Sequence, residues 1–153
     1  MNFPRHFSRV AAVVSILILP ASCASIYDIT TESLREQLSK VTPVTRTVKN
    51  DQGLIYAYSK ERATNGLDSL ICTKGKKMVP VTVHVSPNIV LEVRDTAKKS
   101  TPTEFYLDSV FCTDSTITGS TSQILKLKKS IRYGTIRNIR VNASHKGDLE
   151  YAK

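Results

Sequence analysis

Val79-Pro80-Val81-Thr82-Val83-His84-Val85 places a valine at every second position, with proline, threonine and histidine between them. A period of two puts all the valines on one face of a β-strand. Ser86-Pro87-Asn88 follows as a turn, and Ile89, Leu91 and Val93 resume the apolar face, opposed by Val90, Glu92 and Arg94. The stretch predicts a hairpin that sets Val85 against Ile89 and His84 against Val90. Pro80 has no amide to donate to a ladder, so it marks a sheet edge or the first residue of its strand.

The same period extends outward from this stretch. Val44, Arg46 and Val48 alternate with Thr45, Thr47 and Lys49; Asn50 to Gly53 reads as a turn, and Leu54, Tyr56 and Tyr58 continue beyond it. This predicts a second hairpin. Residues 69–73 and 104–112 read as further strands, each carrying a cysteine, and residues 96–103 and 114–122 read as polar connections. One helix is expected before Pro43: Ser33 and Glu36 have capping-box spacing, and Leu34, Leu38 and Val41 share a helical face. Strands every 8 to 14 residues without helices between them exclude a βαβ fold and predict a mainly β domain. The expected architecture is a small antiparallel sandwich or barrel with one short N-terminal helix.

The first 24 residues read differently. Arg5 and Arg9 precede the apolar run Ala11 to Leu19, and Pro20 leads into small residues up to Ser25. A helix over that run rises only about 14 Å, far short of the roughly 30 Å of a bilayer core. The segment resembles a bacterial secretory leader, which implies residues 1–24 as a signal peptide and residues 25–153 as a single exported domain. Ser22-Cys23-Ala24 supplies small residues for cleavage before Ser25. Leu19-Pro20-Ala21-Ser22-Cys23 also resembles a lipoprotein box, although Pro20 departs from it; that resemblance implies lipidation of Cys23, an outer-membrane location and membrane contact. Either route leaves Cys72 and Cys112 as the remaining cysteines, and in an exported domain such a pair is expected to form a disulfide. The loop it would close, about 40 residues, would stabilise the fold by roughly 4 kcal/mol.

The whole chain has 22 basic and 13 acidic residues, a net charge of +9. Removing residues 1–24 leaves +7, and that excess matches one segment: between Ser115 and Gly147 there are seven basic residues and no acid. They are Lys126, Lys128, Lys129, Arg132, Arg137, Arg140 and Lys146. Leu125, Leu127, Ile131 and Tyr133 alternate with Lys126, Lys128 and Arg132, Gly134 permits a turn, and Ile139 and Val141 flank Arg140. Residues 123–142 are therefore expected to form a hairpin with one apolar and one basic face, with Lys126, Lys128, Lys129, Arg132, Arg137 and Arg140 meeting an anionic partner. The structural alternative is a charged edge that keeps strands from pairing between molecules.

No catalytic motif is present. His-Glu-x-x-His, Gly-x-Ser-x-Gly, Cys-x-x-Cys and a phosphate-binding glycine loop are all missing. His84 and His145 would permit acid–base chemistry by composition alone, and Asp108, Asp114 and Glu92 read as scattered surface acids. No cofactor or metal is expected. The leading expectation is an exported, non-enzymatic binding or accessory protein of the bacterial cell envelope, periplasmic or extracellular, with a place in a larger secretion or surface assembly open to it. Its partner would be an envelope protein or an anionic surface such as lipopolysaccharide or a glycan. A secreted effector or toxin subunit is the second expectation and a small basic nuclease the third; only Tyr133 offers a stacking surface for nucleic acid within the basic segment.

Overall fold

The computed structural model describes residues 25–50, 59–96, 101–123, 125, 127–144 and 149–152. The leader with Cys23, the turn at Gly53 with Leu54, Tyr56 and Tyr58, and Lys126, His145 and Lys146 lie outside the described residues. In chain order the elements are β1 (Ile26–Ile29), α1 (Thr31–Ser39), β2 (Val44–Asn50), β3 (Ser59–Thr64), β4 (Ser69–Lys74) and β5 (Val79–His84). They continue with β6 (Val90–Asp95), β7 (Thr103–Tyr106), β8 (Phe111–Cys112), β9 (Thr116–Ser120), β10 (Lys128–Arg132), β11 (Ile136–Asn142) and β12 (Leu149–Tyr151). Short 3-10 turns occupy Leu107–Ser109 and Tyr133–Thr135.

The fold is mainly β and antiparallel with one helix, as the alternation predicts. A large sheet runs β5-β4-β1-β11-β6-β7, a small sheet runs β10-β9-β8, and a third runs β12-β2-β3; none closes into a barrel among the described residues. One face of the large sheet is the core: Ile29, Leu70, Cys72, Val83, Leu91, Val93, Phe105, Ile139 and Val141. Leu34 and Leu38 of α1 cover part of it, and Ile117 and Ile131 of the small sheet cover another part. Each such side chain, fully buried, is worth roughly 1.5–3 kcal/mol.

The helix begins one turn earlier than expected. Thr30, not Ser33, is its cap, and the Thr30 hydroxyl accepts from the Ser33 amide at 3.1 Å. Gln37 projects from α1 onto β4 and uses both ends of its amide there. It accepts from the Ile71 N–H at 2.7 Å and donates to the Ile71 carbonyl at 3.0 Å. The side chain thus stands in for a neighbouring strand at backbone groups that would otherwise go unpaired.

Several pairings differ from the expected ones. β2 pairs β3 in register from Val44↔Thr64 to Lys49↔Ser59, as the hairpin expected from residue 44 onward requires, with residues 51–58 outside the described residues. The hairpin expected over residues 79–93 is not formed. β5 pairs β4 at the sheet edge, where Pro80 needs no second partner, and β6 pairs β11 and β7. The link between them is anchored elsewhere: the Val85 amide donates to Asp68 and the Ile89 carbonyl accepts from Leu107. The Ser- and Thr-rich connection is in fact β9, the middle strand of the small sheet. Threonine suits a pleated strand, and Ile117 supplies its buried anchor.

The expected disulfide is also absent, since Cys72 and Cys112 are free thiols. Cys72 points into the core from β4 of the large sheet, while Cys112 lies on β8 of the small one. Helix α1 is bonded to the first strand and packed on the second, which keeps them apart.

At Gly119 the small sheet lies directly against Phe105 of the large one. A Cβ built there would lie 2.9 Å from Cδ1 of the fully buried Phe105 ring, inside contact distance. Gly119→Ala is expected to cost about 1–3 kcal/mol in denaturant unfolding. The cost should shrink in a Phe105→Leu background, and equal costs in both backgrounds would exclude the contact as its cause.

Candidate anion-binding face

β10 pairs β9 along its whole length: Lys128↔Ser120, Ser130↔Thr118 and Arg132↔Thr116. β9 in turn pairs β8, with Thr118 opposite Phe111. Residues directly opposite share a face. The outer face of the small sheet therefore carries Lys128 and Arg132 on an edge strand, a hydroxyl row across β9 and β10, and Phe111 at the far side. Thr118 and Ser130 are joined hydroxyl to hydroxyl at 2.8 Å. None of these three strands contains an acid. Lys128 and Arg132 are exposed, roughly 13 Å apart along the strand, and neither meets a carboxylate among the described residues.

The other basic residues go elsewhere. Lys129 turns inward and its Nζ donates to the Thr103 hydroxyl on β7 at 2.8 Å. The hairpin expected over residues 123–142 is not formed. The 3-10 turn at Tyr133–Thr135 carries the chain out of the small sheet, and β11 enters the centre of the large one between β1 and β6. There Ile139 and Val141 are buried against Ile29, Leu91 and Val93, which no isolated terminal hairpin could provide. Arg140 lands opposite both Asp28 and Glu92, and its Nε lies 3.5 Å from the Asp28 carboxylate. Arg137 is exposed beside the irregularity between Ile136 and Asn138, on a different sheet from Lys128 and Arg132. Leu125 and Leu127, expected on the apolar face, are instead exposed at 70% and 55%.

A groove of about 450 Å³ lies between α1 and β8, lined in part by Arg35, Leu38, Val41, Phe111 and Cys112. The Arg35 guanidinium sits 4.7 Å above the Tyr133 ring, whose hydroxyl donates to the Thr113 carbonyl at 2.8 Å. Burial pushes the Cys112 thiol up, against the opposing pull of the Tyr133 hydroxyl and Arg35. Burial alone pushes Cys72 up to about 11. Both sulfurs are therefore held as thiols at neutral pH, the form that is a poor nucleophile.

Asp108, which reads in the sequence as a surface acid, is 1% exposed. Arg62 of β3 donates to its Oδ1 at 2.7 Å, and the Tyr151 hydroxyl of β12 donates to its Oδ2 at 2.9 Å. Arg46 lies cross-strand from Arg62, stacks 4.9 Å above the Tyr151 ring and bonds Asp68 at 2.7 Å. Asn65 completes the junction by donating to the Leu107 and Val110 carbonyls at 2.7 and 3.0 Å. This network fastens the third sheet to the rest of the molecule. Its signal in the sequence was an acid embedded in an apolar run, Tyr106-Leu107-Asp108-Ser109-Val110-Phe111.

His84 is exposed on the edge strand β5. Among the described residues no three His, Cys, Asp or Glu side chains are grouped to hold a metal, and no helix is long and apolar enough to cross a membrane. Comparison with known proteins finds no matching family model, no similar curated protein and no similar solved structure.

Two expected outcomes follow from this chemistry. Iodoacetamide at neutral pH should label Cys112 slowly and Cys72 only after unfolding; a protein without alkylatable thiols would contradict the free pair. Burial raises Asp108, with Arg62, Tyr151 and Arg46 opposing. Its contribution to stability is thus complete below the unfolded value of about 3.9 and lost as pH rises through the folded value. The Tm of the native protein, taken relative to Asp108→Asn, should rise on acidification from neutral towards about pH 4. Parallel Tm curves would refute it.

Proposed function

We propose that this chain is an exported, non-enzymatic binding protein of the bacterial cell envelope, and that it meets an anionic glycan, such as the phosphorylated sugars of lipopolysaccharide, through the outer face of the small sheet. The observation that carries this reading is the pair of exposed cations, Lys128 and Arg132, on a face whose strands hold no acid. Hydroxyls of Thr116, Thr118, Ser120 and Ser130 lie between and beside them in register; Ser120 spends its proton on the Ser122 carbonyl, while the bonded Thr118–Ser130 pair keeps one proton and open lone pairs for a polar ligand. A hydroxyl-bearing sheet face suits an extended polar ligand. Single-stranded nucleic acid would want a row of aromatic platforms, and this face offers only Phe111.

Charge on an exposed strand acts through solvent, so the interaction should weaken steeply with salt. Lys128→Gln combined with Arg132→Gln is expected to elute from heparin or lipopolysaccharide resin at clearly lower salt than the native protein. Arg137→Gln combined with Arg140→Gln, which removes an equal charge from β11 of the large sheet, should move elution much less. Equal shifts for both would reduce the effect to net charge and dispose of the face.

A further inference from the structure

A second basic surface lies at the opposite edge of the large sheet. Residues 69–91 contain Lys74, Lys76, Lys77 and His84 and no acid. The first three lie at the tip of the β4–β5 hairpin, where Lys74 pairs with Val79 and residues 75–78 make the turn. The Met78 amide closes that turn by donating to the Gly75 carbonyl at 3.0 Å. Gly75 has φ of 70°, as glycine readily does, but Met78 has φ of 49°. A left-handed methionine is unfavourable, and a glycine or asparagine would relieve it. This position instead holds a large apolar side chain, 61% exposed, and Val79 beside it is 52% exposed. The tip stands clear of the rest of the fold, since a Cβ placed on Gly75 would meet nothing within 4 Å.

We propose that this hairpin tip docks on an anionic phospholipid bilayer, with Met78 and Val79 entering the headgroup layer and Lys74, Lys76 and Lys77 meeting lipid phosphates. Residues 74–80 are all exposed around the turn, so the tip suits a broad soft surface. Exposed apolar side chains ringed by long cationic ones match the boundary of a bilayer, where apolar groups enter the acyl edge and ammonium groups reach the phosphates. Lys74 holds its ammonium 5.6 Å from the centre of the Tyr27 ring and must leave that ring to reach a phosphate, so Lys76 and Lys77 carry the test. Pro80 on the edge strand blunts the rival use of these residues, which is strand addition by another chain. Ile71 is exposed as well but lies on the opposite face of the hairpin from Val79, outside this contact.

The test is co-sedimentation of the purified protein with phosphatidylcholine vesicles, with and without phosphatidylglycerol. Binding is expected only where phosphatidylglycerol is present. Lys76→Gln with Lys77→Gln should weaken it by about 25-fold, at about fivefold for each lysine near the surface. Met78→Ser with Val79→Ser should also weaken it, leaving a residue that salt removes. The chain has no tryptophan, so Met78→Trp provides a single reporter whose emission should shift to the blue on anionic vesicles. The Lys128→Gln and Arg132→Gln variant should sediment as the native protein does, which separates this contact from the glycan face. No sedimentation with anionic vesicles would overturn the proposal and turn attention to an acidic protein. An unshifted Met78→Trp emission, or a loss that follows Lys128 and Arg132 instead, would overturn it equally.

Discussion

Phe105 rests on the backbone of Gly119, and the arrangement of the two facing sheets depends on that contact. The ring comes from β7, the last strand of the large sheet, and the glycine from β9, the middle of the small one. Any side chain at Gly119 would push the sheets apart, because interiors packed at crystal-like density have no slack to absorb it. With the sheets closed, Ile117 and Ile131 reach the core and Lys129 reaches Thr103. Lys128, Ser130 and Arg132 are then left outward by the pleat. The basic face is thus a by-product of one close approach between a ring and a glycine.

The third sheet is held by a different force. It adds only Val48 to the buried apolar residues among its described strands, and it joins the molecule through Asp108, Arg62, Arg46 and Tyr151. Arg46 and Arg62 lie directly opposite each other, an arrangement that repels unless acids intervene. Asp108 and Asp68 intervene. Gly66 makes the close approach possible beside them: its φ is 83°, and a Cβ there would lie 2.0 Å from the Thr42 carbonyl oxygen. One sheet pair is therefore joined by shape and the other by polar pairing. The second kind leaves a buried carboxyl whose protonation is tied to folding.

The two proposed contacts use this frame in complementary ways. Lys128 and Arg132 are presented on a hydroxylated sheet face, suited to an extended polar chain. Lys76, Lys77 and Met78 are presented on a protruding turn, suited to a soft surface. Both lie in acid-free stretches of sequence, and both are at sheet edges, where strand pairing leaves a side free.

The alternation of apolar and polar residues determined, without any structure, that the chain is mainly β, where most strands lie, that Pro80 marks either a sheet edge or the start of its strand, and that positive charge gathers in particular segments. The helix before Pro43 was equally legible from Leu34 and Leu38. A period of two reports which face a residue takes, because that depends only on its own backbone; it carries nothing about which strand lies alongside. Hence β5 and β6, adjacent in sequence, are separated in the sheet, and β10 and β11 belong to different sheets. Residues of like character met different ends for the same reason. Arg140 came to lie opposite Asp28 and Glu92 while Arg132 met no carboxylate among the described residues, and Cys72 was directed into one sheet's core while Cys112 stood on another. Asp108 was buried because two distant strands brought Arg62 and Tyr151 to it. Long-range pairing is decided by how much apolar surface the whole arrangement can bury, and only the tertiary structure settles that.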